Sequence, residues 1–161
     1  MICKEGTLRK PVISWLESLG MSPVFEVYYC DVVGAQWAER IDRRIPALLR
    51  VVGVELKMDD VSGVIRQCQS NRHRYRECFA AMPSERISRM SNSTLNKFRR
   101  DGIGLLSVLG NICSCVIMPI SNLDVVSHDH LKSNLWRRRD EWRGRVDCTR
   151  ARQLQRAKSP K

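Results

Sequence analysis

The sequence has no apolar run approaching the ~18 residues that a membrane-spanning helix needs. Its longest such stretch, Ile112 to Ile120, is interrupted by Cys113, Ser114, Cys115 and Pro119 and predicts a buried strand. No long apolar segment follows Lys4, Arg9 and Lys10, which argues against a secretory signal and leads us to expect a cytoplasmic protein with no membrane partner. CxxC pairs are missing, and the seven cysteines (Cys3, Cys30, Cys68, Cys78, Cys113, Cys115, Cys148) are odd in number and lie mostly in apolar segments. Neither a zinc site nor a disulfide framework fits that pattern, and reduced, buried thiols do. Internal repeats and extended low-complexity segments are also lacking.

What remains is one domain with a tail. A length of 161 residues with 43% apolar content suffices to bury a core. The net charge of +11 is concentrated at one end: residues 132–161 hold eleven Lys or Arg against three Asp or Glu, while the other 131 residues are nearly balanced. A polyanionic partner follows, nucleic acid ahead of a membrane surface. A simply solvated basic tail is the competing reading. We therefore divide the chain into an α/β domain over 1–121 and a basic extension over 122–161, helical in part and disordered in part.

The hydrophobic pattern predicts the elements of that domain. Leu8, Val12, Leu16 and Leu19 form a helical stripe, with Pro11 in the first turn and Gly20 at the C-cap. Val24 to Tyr29 is β-branched and aromatic and predicts a strand, and Asp31-Val-Val-Gly34 begins a second. Residues 35–50 fit either a short helix around Trp37 and Ile41 or an ordered excursion. Val51 to Lys57 is the central strand. Asp59 and Asp60 offer an N-cap to a helix with Val61, Val64, Ile65 and Cys68 on its buried side, running to about Tyr75. Cys78 to Met82 predicts another strand, Leu95 to Arg100 a helix, and Ile103–Leu109 and Cys113–Met118 two late strands joined at Gly110-Asn111. Leu131 to Arg156 predicts a basic helix carrying Trp136 and Trp142.

Val51-Val-Gly-Val-Glu-Leu-Lys57 is the most informative stretch. Residues two apart on a strand share a face, so Glu55 and Lys57 emerge together while Val52, Val54 and Leu56 enter a core. A carboxylate able to hold a divalent cation beside an ammonium able to stabilise an anion suits metal-assisted phosphodiester hydrolysis. The same residues also admit plainer readings. Glu55 and Lys57 could form a same-face ion pair, Asp31 a turn, and Gln67 a solvated helix position with Gln69 as its rival. His128 and His130 lie two apart on a predicted loop without a third ligand, which is too few for a metal site. Trp136 and Trp142 suit either base stacking or docking of the tail on the body.

Asp31-Val-Val-Gly, then Val-Val-Gly-Val-Glu55-Leu-Lys57, a helix with Gln67, and Cys78-Phe-Ala-Ala-Met-Pro83 resemble the PD-(D/E)xK nuclease superfamily. Phe98-Arg-Arg-Asp-Gly102-Ile-Gly-Leu-Leu-Ser-Val108 is similar to the segment that follows the fourth core strand in some branches. The resemblance covers roughly residues 8–118. It implies a restriction-endonuclease-like αβββαβ core, a central mixed sheet flanked by helices. It further implies a nuclease hydrolysing DNA with Mg²⁺ or Mn²⁺, with RNA left open as a substrate and a homodimer in view. Asp31, Glu55, Lys57 and Gln67 would be catalytic, and Glu26, Asp31 and Glu55 would hold the metal. Lys57 would activate the attacking water and offset transition-state charge, and Gln67 would position Lys57 or a metal-bound water. Cys30 stands where the family has proline, and the long Asp31-to-Glu55 spacing requires residues 35–50 to loop out. Strand parity sets Glu26 and Asp31 on opposite faces unless a turn or bulge intervenes.

Affinity for DNA would come from phosphate contacts of Arg72, Arg74, Arg76, Arg137, Arg138, Arg139 and Arg143. The alternative is a non-catalytic nucleic-acid-binding or assembly module on the same scaffold.

Overall fold

The computed structural model describes residues 5–125 and 129–141. In chain order the elements are α1 (Gly6–Ser18), β1 (Ser22–Val27), β2 (Cys30–Trp37), β3 (Leu48–Leu56), α2 (Val61–Asn71), β4 (Glu77–Pro83), α3 (Ser84–Ser88), α4 (Asn92–Arg100), β5 (Gly104–Leu109), β6 (Ile112–Ile117) and α5 (Asp129–Arg138). The six strands form one sheet in sequential order. β1, β2 and β3 are an antiparallel meander, β4 and β5 run parallel to β3, and β6 returns antiparallel to β5. The architecture is thus α/β, a mixed sheet flanked by helices.

Helices cover both faces. On one, Leu8, Val12, Ile13 and Leu16 of α1 pack on a layer that includes Phe25, Val54, Leu56 and Phe79. On the other, Val64 and Cys68 of α2, Phe98 of α4, and Leu131 and Leu135 of α5 pack with Val33, Tyr75, Ala80 and Leu105. A strand covered on both sides needs apolar residues at successive positions, and Val51 to Leu56 is buried throughout. The site therefore grows from the middle of the sheet. Tyr75 crosses under β3 and donates from its hydroxyl to Val27 O at 2.6 Å. Gly53 allows this passage, because a Cβ there would stand 2.7 Å from the Tyr75 ring.

Residues 35–50 resolve against a helix. β2 runs on to Trp37, and irregular chain follows until β3 begins at Leu48. The β2–β3 register shifts between Gln36 and Trp37, where the excursion leaves the sheet. The helix after Asp60 stops at Asn71 rather than Tyr75; Asp60 caps it by accepting from Gly63 N at 2.8 Å. Ser84–Ser88 forms one short helix and α4 begins at Asn92, capped by Ser91.

The extension is anchored as far as it is described. Trp136 meets Trp37 edge to face with ring centroids 5.1 Å apart, and Arg138 Nη2 donates to Phe25 O at 2.7 Å. Docking, one of the two readings for Trp136, is what the structure shows. Trp142, Arg143 and His128 lie outside the described residues. Among the described residues no helix is long and apolar enough to cross a membrane.

Candidate functional site

Asp31 opens β2 and Glu55 nearly ends β3. The antiparallel register pairs Val32 with Val54, so Asp31 falls opposite Glu55 one step further along. Directly opposed residues of an antiparallel pair share a face. Two acids 24 positions apart in sequence thereby meet at one end of the sheet. Asp31 Oδ2 accepts a hydrogen bond from Leu56 N at 2.8 Å, which ties its carboxylate to the end of β3.

Glu55 is 2% exposed. Its Oε1 accepts from Asn71 Nδ2 at 2.5 Å, and its Oε2 is buried without a donor. Burial pushes the Glu55 carboxyl up to about 7. The charge of Asp31, and its ability to accept the Glu55 proton, act in the same direction, while Cys30 and Lys57 oppose it. Burial, then Glu55, in turn raises the Cys30 thiol well above its usual value, which keeps it neutral.

Lys57 follows the last strand residue, and its backbone N–H still donates to Ala81 O at 3.0 Å. Its ammonium donates to Glu5 Oε1 at 3.0 Å, just ahead of α1. Burial works against the Lys57 charge, but Glu5, and after it Asp31 and Glu55, hold its pKa above the ordinary lysine value. Asp31 and Glu55 therefore both favour the charged form of Lys57, and Asp31 disfavours the charged form of Glu55.

Two other predicted members are not brought to the pair. A turn at Tyr28-Tyr29 intervenes between β1 and β2, and the register then sets Glu26 opposite Asp31. Its φ of +50° interrupts the pairing, however, and its carboxylate is 71% exposed and paired with Arg9 at 3.6 Å. Gln67 lies on the exposed side of α2, while Asn71, one turn further on, reaches Glu55. The sequence held a signal for Asn71: it continues the buried stripe of Val64 and Cys68, and Gln67 does not. Glu5 left no comparable sign, since its contact with Lys57 spans 52 positions. Among the described residues no group of three or more His, Cys, Asp or Glu is placed to hold a metal, so Asp31 and Glu55 stand as a pair.

Several predicted DNA-contacting arginines are engaged internally. Arg72 donates to Asp101 O at 2.5 Å and to Ile120 O at 3.3 Å. Arg74 sits 5.9 Å from the Tyr28 ring, Arg138 pairs with Glu141, and Arg139 stacks 3.9 Å from the Trp136 ring. Arg76 and Arg137 are exposed. His130 Nδ1 pairs with the Tyr28 hydroxyl.

A different set of cations stands at the same end of the sheet. β4 runs parallel to β3, so α3 starts at the same end of the sheet as Lys57. Arg86 of α3 pairs with Asp59, three residues past Leu56. Arg86, Arg89 and Lys97 line a cavity of about 380 Å³ with Ser62, Ser91 and Thr94.

No family model matches the chain. No curated protein matches it. Among solved structures, the chain is similar to the SPO1766 protein of unknown function from Silicibacter pomeroyi, at 16% sequence identity and a TM-score of 0.56. The likeness covers 99% of this chain and 95% of that one, and it concerns the fold alone.

Proposed function

We propose that Asp31, Glu55 and Lys57 form the centre of a metal-dependent nuclease of PD-(D/E)xK type that hydrolyses phosphodiester bonds in DNA. One observation carries this reading: the β2–β3 register sets Asp31 opposite Glu55 where β3 delivers Lys57. The order α1, β1, β2, β3, α2, β4, with an antiparallel meander followed by a parallel strand, supports a restriction-endonuclease-like core. The donor set fits a hard cation: Glu55 Oε2 is buried without a donor, and two facing carboxylates repel until a proton or a metal intervenes. Asp31 and Glu55 would hold Mg²⁺ or Mn²⁺. The chemistry so supplied is activation of water near neutral pH and neutralisation of charge on the phosphate.

The remaining work falls to the chain itself. Asn71 holds one Glu55 oxygen and leaves the other toward Asp31. Lys57, charged and steered by Glu5, offsets negative charge developing on the scissile phosphate. Lys97 offers a cation to flanking phosphates at the same end of the sheet, beside Arg86 and Arg89, which are paired with Asp59 and Glu85.

The depth of Glu55 favours a second reading, a non-catalytic nucleic-acid-binding or assembly module. A buried carboxyl stapled to Asn71, with its proton shared toward Asp31, is also a sound structural arrangement. Incubation with plasmid, single-stranded DNA and RNA in Mg²⁺, Mn²⁺ or EDTA separates the two. The nuclease reading expects metal-dependent cleavage that Asp31→Ala and Lys57→Ala abolish. Cleavage persisting in both variants discards this site. Retarded mobility without cleavage under every metal condition supports the module.

A further inference from the structure

The two edges of the sheet are treated differently. β1 carries Pro23, its pairing is interrupted at Glu26, and Arg138 caps Phe25 O. Such devices keep an edge strand from pairing with another chain. β6 has none of comparable strength along Ile112–Cys115; one irregularity in its pairing lies beyond, at the Leu105/Leu106 step. Its outer side is not paired to any strand among the described residues.

The surface around β6 is also apolar. Leu109, Ile112, Val116, Met118, Ile120 and Leu123 are between 48% and 77% exposed. Residues 103–123 contain no Asp, Glu, Lys or Arg in a chain where 28% of residues are charged. An uncharged, apolar, unpaired edge of this kind marks an interaction surface.

We infer that β6 is a homodimer interface, in which a second copy of this chain adds its own β6 antiparallel about a two-fold axis and extends the sheet across both chains. Three arguments select this occupant. Antiparallel pairing of a strand with itself is isologous and closes at two copies. Two chains of charge +11 repel, and the repulsion is least where 21 consecutive residues carry no charge. The six side chains offer on the order of 600 Å² per copy, near the ~800 Å² per partner of a standard interface, before any main-chain hydrogen bonds. Residues 142–161, mostly basic and polar, match this strip poorly as a cover.

The test is sedimentation of the full chain from about 1 to about 100 µM, with Ile112→Lys and Val116→Lys alongside. The wild type is expected to sediment as a dimer. Each variant, charged at an exposed position, is expected to be monomeric with a wild-type circular-dichroism spectrum. Lys97→Glu, away from the edge, should stay dimeric. A monomeric wild type throughout, whether the edge is then bare or serves another protein's strand, overturns the inference, and so does a dimer that survives both lysine variants. Should the variants misfold, hydrogen exchange on the wild type decides. Amides of 112–117 must exchange more slowly at high protein concentration than at low, and equal rates overturn the interface.

Discussion

Asn71 Nδ2 donates to Glu55 Oε1 at 2.5 Å, joining the last turn of α2 to the buried end of β3. Asp31 and Cys30 also hydrogen-bond with the Glu55 carboxyl, and Asn71 is the amide donor to its Oε1. Asn71→Ala should therefore leave a buried acceptor unsatisfied and cost about 1–3 kcal/mol. Denaturant midpoints at constant m-value measure it. A loss within a few tenths of a kcal/mol would mean that water or another donor already serves Glu55.

Stability should fall as pH rises through the Glu55 transition. Its folded pKa of about 7 lies above the ordinary glutamate value of 4.5, so the folded state holds the proton more tightly. Below the unfolded pKa both states are protonated and there is no penalty. Between the two values the penalty grows, and above about 7 it is complete, on the order of 2–3 kcal/mol. Glu55→Gln keeps an acceptor for Asn71 and removes the titration. The difference in unfolding free energy between wild type and this variant should change between pH 5 and pH 8, with the wild type losing ground. A constant difference would place the Glu55 pKa near its ordinary value.

Cation binding should stabilise the folded chain with the opposite pH dependence. A metal at one hundred times its Kd adds about 2.7 kcal/mol. Mn²⁺ should raise Tm at pH 8, EDTA should reverse the rise, and the effect should fade as pH drops through about 7 and Glu55 takes up its proton. Asp31→Ala and Glu55→Gln should each remove it. An equal shift in wild type and variants would place the ion elsewhere.

Arg72 and Lys97 should behave as opposites. Arg72 is tied to the carbonyls of Asp101 and Ile120, so Arg72→Ala should lower stability by about 1–3 kcal/mol and leave the salt dependence of DNA binding unchanged. Lys97, in the cavity with Arg86 and Arg89, should contribute to binding and little to folding. Lys97→Ala should reduce the slope of log K against log salt by about 1. Fluorescence anisotropy over a salt series reads both.

The elements and the chemistry were legible in the sequence to different degrees. The strand around Val51–Leu56 was plain because a strand buried on both faces must be apolar at successive positions. A helix cap at Asp59 or Asp60, of which the structure uses Asp60, and the turn at Gly110-Asn111 were also plain, because both depend on neighbours a few positions apart. Residues 35–50 were not, since Trp37 at the end of β2 is explained by Trp136, about a hundred positions later. The arginines were read from charge alone, and charge does not say whether a guanidinium meets a phosphate or a carbonyl of its own chain.

By itself the sequence determined an α/β chain whose central strand carries an acid and a lysine, because strand alternation and burial patterns are local physics. Only the tertiary structure decided which distant groups complete them. Register brought Asp31 to Glu55, the pitch of α2 chose Asn71 over Gln67, and the start of α1 supplied Glu5 to Lys57. Those choices depend on how elements cross and pack, and no short window of residues encodes a crossing.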